Sequence, residues 1–154
     1  IKGQQASNGD TTKKENNMPN LMEMTNTDVA AHMQVMLIAN QNDLFRKALT
    51  DAAAMSAITV NNEEIKGQIL ITQGIAGEDW AFIAKVKDAV ATFNTFTEDN
   101  DPYGDHTFGA FEIDGEKLFW KIDLYDENYE CGSEDPSNLA VTRRVLTIML
   151  ASEY

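Results

Sequence analysis

From Asp28 to about Leu49, apolar residues recur at spacings of mostly three to four at Val29, Met33, Leu37, Leu44 and Ala48. That spacing describes one face of a long amphipathic helix, with Thr27 suited to its N-cap and Asp28 in its first turn. His32 has Met36 at i+4 instead of a second ligand, so it reads as a surface histidine. After a small, polar stretch from Asp51 to Lys66, the run Gln68-Ile-Leu-Ile-Thr-Gln-Gly74 is short, apolar and β-branched, which predicts a strand. Next, Phe82, Ile83, Val86, Ala89, Val90 and Phe93 share a stripe and predict a second helix from about Asp79 to Phe96, with Trp80 covering an edge of the core.

The sharpest local signal is Asp114-Gly115 between two alternating runs, a dipeptide that suits a two-residue hairpin with positive φ at both central positions. The resulting register sets Glu112 opposite Lys117, Phe111 opposite Leu118 and Gly109 opposite Trp120. An ion pair, an apolar pair and a small residue beneath a large ring are all favourable cross-strand partners. One face then holds Phe111, Ile113, Leu118, Trp120, Ile122 and Leu124, and it faces the core. The other holds Phe108, Ala110, Glu112, Lys117, Phe119, Lys121, Asp123 and Tyr125.

Beyond the hairpin, Pro136 suits the first position of a helix capped by Asp135 and running to Ala151. Val141, Val145, Leu146, Ile148, Met149 and Leu150 make that segment apolar nearly all round and place it against the sheet. The expected architecture is α+β, in the order α-β-α-β-β-α, with a small, largely antiparallel sheet of about three strands covered by about three helices. Residues 1 to 27, rich in Asn, Thr, Gln, Lys and Gly, are expected to form a disordered leader before one domain spanning 28–154. The opening Ile1 fits either a fragment or a start at Met18, Met22 or Met24.

Charge changes the picture more than size does. A chain of 154 residues buries roughly 70% of its unfolded surface and can build a core unaided. Its net charge is −13, of which the segment 94 to 135 carries −11 through thirteen acids and two lysines. Such a surface repels phosphate backbones, so ordinary nucleic-acid binding is not expected, and basic proteins or metal cations are better partners. Cys131 stands alone, which excludes a disulfide framework within the chain and suits a reducing, cytoplasmic setting. No apolar run approaches the roughly 18 residues of a membrane span.

The loop Glu98-Asp-Asn-Asp-Pro-Tyr-Gly-Asp-His106 concentrates hard oxygen donors suited to magnesium or calcium. It is no EF-hand, because Pro102 stiffens its fourth position and Ala110 stands where a bidentate glutamate is required. A looser divalent-cation site would use Asp99, Asp101, Asp105, His106 and Asp123, since the hairpin register sets His106 opposite Asp123. The same juxtaposition suggests an acid/base pair. The competing expectation is turn chemistry, with these acids capping loop and hairpin ends. No nucleophile motif or phosphate-binding glycine loop accompanies them, so the balance leans away from an enzyme and no cofactor is assigned. Arg143 and Arg144 are expected to pair with Asp123, Asp126 or the acidic loop.

The phrases Phe96-Thr-Glu-Asp-Asn-Asp-Pro-Tyr-Gly-Asp-His106, Phe108-Gly-Ala-Phe-Glu112, Phe119-Trp-Lys-Ile-Asp123, Gly132-Ser-Glu-Asp-Pro136 and Val141-Thr-Arg-Arg-Val-Leu-Thr-Ile-Met-Leu-Ala151 resemble the domain of unknown function 3768 family. The resemblance spans about residues 36 to 154 and includes Asn42-Asp43 and Phe45-Arg46. It implies a cytoplasmic, mostly alphaproteobacterial protein, often carried on mobile elements, and brings no established reaction. The expected function is therefore a protein-interaction module that presents the acidic, aromatic surface of 94–135 to a basic partner. Tyr103, Phe108, Phe119, Lys121 and Tyr125 would make the contacts. The alternative is a metal-binding or metal-dependent hydrolase-like domain built on the 98–106 loop. The sequence leaves the oligomeric state open.

Overall fold

A computed structural model describes residues 23–51 and 58–154. The expected leader lies largely outside them. Helix α1 (Asn26–Lys47) is followed by one 3-10 turn, a short hairpin of β1 (Thr59–Val60) and β2 (Glu63–Glu64), and strand β3 (Gly67–Ile71). Then come the single-turn helix α2 (Gln73–Ala76), helix α3 (Trp80–Thr92), and strands β4 (Phe108–Ile113), β5 (Glu116–Tyr125) and β6 (Arg143–Leu150). The class is α+β. A four-stranded sheet in the order β3-β6-β5-β4 is antiparallel except where β3 runs parallel to β6.

The β4–β5 hairpin has the expected register. Glu112 faces Lys117, Phe111 faces Leu118 and Gly109 faces Trp120. Asp114 and Gly115 take φ of 53° and 89°, as the turn requires. Leu118, Trp120 and Ile122 are buried, and Phe111, Ile113 and Leu124 pack onto the same cluster with Val86 and Val90 of α3. A side chain on Gly109 would enter the space of the Trp120 indole.

The C-terminal element is a strand, not the expected helix. Residues 135 to 142 form turns, with the Asn138 N–H bonded to the Asp135 carbonyl, and Arg143–Leu150 then runs through the sheet between β3 and β5. A central strand with buried residues on both faces is apolar on both, so its pattern does not alternate and resembles that of a buried helix. Val145 and Met149 are buried on one face of β6, Leu146 and Ile148 on the other.

Helix α1 forms where expected but turns a different face inward. Thr25, not Thr27, is the N-cap, and it forms a reciprocal capping box with Asp28. The buried residues are Ile38, Ala39, Gln41, Asn42, Phe45 and Arg46, whereas Met33, Leu37 and Leu44 of the expected core stripe are exposed. Hydrophobic periodicity misses this face because half of it is polar and buried through hydrogen bonds. Helix α3 begins on its Asp79 cap and ends at Thr92, short of Phe96. Trp80 is 82% exposed and covers no core edge.

Arg144, fully buried on β6, explains the polar face of α1. Its Nε donates to Asn42 Oδ1 at 2.8 Å and its Nη2 to Gln41 Oε1 at 2.7 Å, with the Pro136 carbonyl at 3.4 Å. These partners are neutral, in place of the expected carboxylates, and desolvation pulls the guanidinium pKa down to about 10. Arg143 instead reaches Glu127 at 3.3 Å.

Two substitutions test this packing by urea unfolding. Gly109→Ala is expected to lose about 1–3 kcal/mol by overpacking against Trp120. Arg144→Lys offers one nitrogen where two separate amide oxygens need donors, and is expected to lose about 1–3 kcal/mol for the acceptor left bare.

Candidate functional site

Two places gather the chemistry. The first lies where the 97–107 loop meets α1. Asp101 is the hub of this loop: its Oδ1 accepts the N–H of Asp105 at 3.1 Å and of His106 at 3.2 Å. Asn100 braces the loop start by accepting from the Thr97 N–H and donating to the Thr95 carbonyl, both at 2.8 Å. Gly104 and His106 take positive φ of 70° and 55°, which lets the chain reverse twice within three residues. Asn42 of α1 donates to the Asp105 carbonyl at 2.8 Å, fixing the loop to the helix.

This arrangement presents the His106 ring between two carboxylates. Its Nδ1 lies 3.1 Å from Asp43 Oδ2 and its Nε2 lies 3.7 Å from Asp101 Oδ2. Phe96 stacks on the imidazole with centroids 3.7 Å apart and planes within 1°. Asp43 also holds Arg46 at 2.8 Å, and the buried Arg46 guanidinium donates to the carbonyls of Val90 and Ala91 at the end of α3. The Arg46 guanidinium lies 5.0 Å from the Trp120 ring, close enough for a cation–π contact. The side chain of Asp101 is only 5% exposed, and burial holds its carboxyl above the ordinary value, while the His106 N–H and imidazole act in the opposite sense. Asp43, Arg46, Thr50, Asn94, Phe96 and His106 are among the residues lining a cleft of about 580 Å³.

The expected His106–Asp123 pair is not formed. The paired register ends at Phe108 opposite Lys121, and His106, with its positive φ, leaves it; Asp123 bonds Lys121 at 2.7 Å, and the aspartate that meets the imidazole is Asp43, 63 residues earlier. Asp105 is occupied by the Thr107 hydroxyl at 2.8 Å, and Asp99 is exposed. Among the described residues, no group of three or more His, Cys, Asp and Glu side chains is arranged to hold a metal ion. The loop acids instead accept backbone and hydroxyl donors, the turn chemistry that the sequence offered as the competing expectation. Asp43, Arg46, Asn42 and Gln41 were absent from the candidate residues. Their one signal was that three of them stand in the Asn42-Asp43 and Phe45-Arg46 phrases of the resemblance.

The second place is the outer face of the sheet. Phe108, Phe119, Lys121 and Tyr125 all lie on it, opposite the face packed by α1 and α3. Phe108 and Phe119 meet at 5.3 Å, and Tyr154 returns over the sheet to lie 5.5 Å from Phe119. Lys121, bonded to Asp123, has its pKa raised chiefly by that bond. Tyr125 neighbours Tyr129 at 6.5 Å. Tyr103 lies elsewhere, in the loop against α1, and is 80% exposed.

Residues 71–153 match the model of a family described as protein of unknown function (DUF3768). The chain belongs to this family. The DUF3768 match takes in α2, α3, β4, β5 and β6, and so His106, Arg144 and the outer-face aromatics, while α1 precedes it. No curated protein and no solved structure matches the chain. Among the described residues, no helix is long and apolar enough to cross a membrane.

The raised pKa of Asp101 fixes a sign. A carboxyl whose folded pKa exceeds its unfolded one binds its proton more tightly when folded, so its contribution is most favourable below the unfolded pKa and is lost as pH rises through the folded value. Asp101→Asn keeps the acceptor oxygen and removes the desolvated charge. The variant is expected to be more stable than the parent at pH 7, with the difference shrinking below about pH 4, near the ordinary aspartate pKa. Paired urea titrations at the two pH values measure it, and a variant less stable at pH 7 would refute the assignment.

Proposed function

We propose that the chain is a protein-interaction module whose outer sheet face receives a basic segment of another protein. The observation that carries this reading is the placement of Phe108, Phe119, Lys121 and Tyr125, all half-buried, together on the sheet face opposite α1 and α3. Aromatic side chains supply large contact area with little loss of conformational freedom, and in that role they dominate interface energetics. Leu70, on the same face at the β3 edge, is 48% exposed and extends the apolar surface.

Charge sets the kind of partner. Glu127 and Glu130 are exposed in the turn after β5, whose Tyr129 neighbours Tyr125, and Glu98 and Asp99 are exposed in the loop before β4. Cationic side chains would be steered there and would meet the half-buried rings at their accessible edges. Asp101 and Asp105 are taken up by backbone and hydroxyl donors of their own loop, which favours this reading over a metal-dependent one.

An oligoarginine peptide is the probe, followed by amide chemical shifts at low and high salt. Shifts are expected on β4, β5 and the 126–135 turn, with affinity falling steeply as salt screens the charges. Phe108→Ala with Phe119→Ala should weaken binding roughly ten-fold, as loss of a hot spot does. Shifts spread evenly over all acidic loops, unchanged in the double variant, would refute the aromatic face as the docking surface.

A further inference from the structure

The N-terminal half of α1 reaches beyond the domain it belongs to. The helix is packed from Ile38 to Arg46, whereas Ala30, Met33, Met36, Leu37 and Leu44 are exposed, Met33 at 65% and Met36 at 59%. Its first three turns are tied to the body by Gln34, which donates to Ser137 Oγ at 3.2 Å and Asp135 Oδ1 at 3.4 Å. Helices in proteins derive most of their stability from a packed apolar face, and contiguous exposed apolar surface marks an interface. Ala30, Met33, Leu37, Asn40 and Leu44 follow the alternating three-and-four spacing of a coiled-coil seam, with one polar position of the kind that fixes register.

Charge decides what covers this seam. The chain carries −13, yet residues 29 to 42 contain no Asp, Glu, Lys or Arg. Two copies repel one another across their acidic surfaces and can approach through this neutral one. A basic partner finds no carboxylate in the seam to recognise. The helix ends add a direction: Glu23 and Asp28 are exposed at the N-terminal end and Lys47 at the C-terminal end. Antiparallel pairing with Met33 facing Leu37 of the second copy brings Glu23 level with the second copy's Lys47 and aligns the helix dipoles favourably. Parallel pairing would set like charges together at both ends.

We propose that α1 pairs antiparallel with α1 of a second copy across this seam, forming a two-fold homodimer. A helix of 22 residues is about 33 Å long, so a single helix pair falls at or below the standard interface size of about 800 Å² per partner and gives a reversible dimer.

Sedimentation equilibrium of the full chain across micromolar concentrations tests the proposal. The mass is expected to rise with concentration from 17.1 kDa towards twice that value. Leu37→Glu, at an exposed position, should weaken the dimer roughly ten-fold or more, about 1.4 kcal/mol or above, with an unchanged far-ultraviolet spectrum. Lys47→Glu should weaken it at low salt only, by facing Glu23. A chain that stays at 17.1 kDa at every concentration overturns the proposal, as does a dimer indifferent to Leu37→Glu. A dimer that loses affinity with Leu37→Glu but not with Lys47→Glu overturns the antiparallel direction.

Discussion

Two buried guanidinium groups govern how this domain is put together. Arg46 on α1 and Arg144 on β6 are 1% and 0% exposed, and a charge taken that far from water must have its donors met. Arg46 is satisfied by Asp43 and by the carbonyls that end α3, so it fixes α1 against α3. Arg144 is satisfied by the Asn42 and Gln41 amides, so it fixes α1 against the sheet. The two arginines thus join all three parts of the core layer, and they do so with directional bonds that apolar contacts alone would not supply. Each leaves one nitrogen without a partner, Arg46 Nε and Arg144 Nη1, a cost that the bonds on the remaining nitrogens must offset.

The acidic loop follows from the same joint. Asp43, already held by Arg46, receives the His106 ring, and Asn42, already held by Arg144, donates to the Asp105 carbonyl. The loop is therefore docked on groups whose positions the arginines set. Asp101 then closes it from inside by taking two backbone donors. Its burial carries a cost that backbone hydrogen bonds and the neighbouring imidazole offset in part. Of the thirteen carboxylates between 94 and 135, most stay at the surface. Asp101, Asp105, Asp126 and Asp135 are drawn into turns, where backbone N–H groups and hydroxyls stabilise their charge.

The hairpin was legible in the sequence because three independent signals agreed: the Asp-Gly turn, the alternation, and the cross-strand pairs that the register implied. Each would have failed under a one-residue slip. Strand β6 was not legible, because burial on both faces erases the alternation that separates a strand from a buried helix. The α1 face was misread for the opposite reason. Met33, Leu37 and Leu44 of the expected stripe point outward, while the buried face mixes Ile38, Ala39 and Phe45 with Gln41, Asn42 and Arg46, so most of the periodicity belonged to another surface. In the loop, turn residues and potential metal ligands are the same amino acids, and only the partner of each carboxylate tells the two apart. Asp123 was placed beside His106 by extending the hairpin register past Phe108, where the ladder ends and the positive φ of His106 turns the ring towards Phe96 and Asp43 instead.

The boundary of the family match bears on what the folding unit is. The matched residues 71–153 contain Arg144, His106 and the α3 carbonyls, while Gln41, Asn42, Asp43 and Arg46 all stand on α1, before it. Removed from α1, Arg144 would keep only the long contact to the Pro136 carbonyl, and His106 would lose the closer of its two carboxylates. A buried arginine stripped of its acceptors is strongly unfavourable, so the matched segment cannot hold this conformation without a helix that supplies them. The C-terminal half of α1 is accordingly part of the core in physical terms. Its N-terminal half makes few such bonds and is free to serve another purpose, which is why one continuous helix can carry a polar buried face and an apolar exposed one.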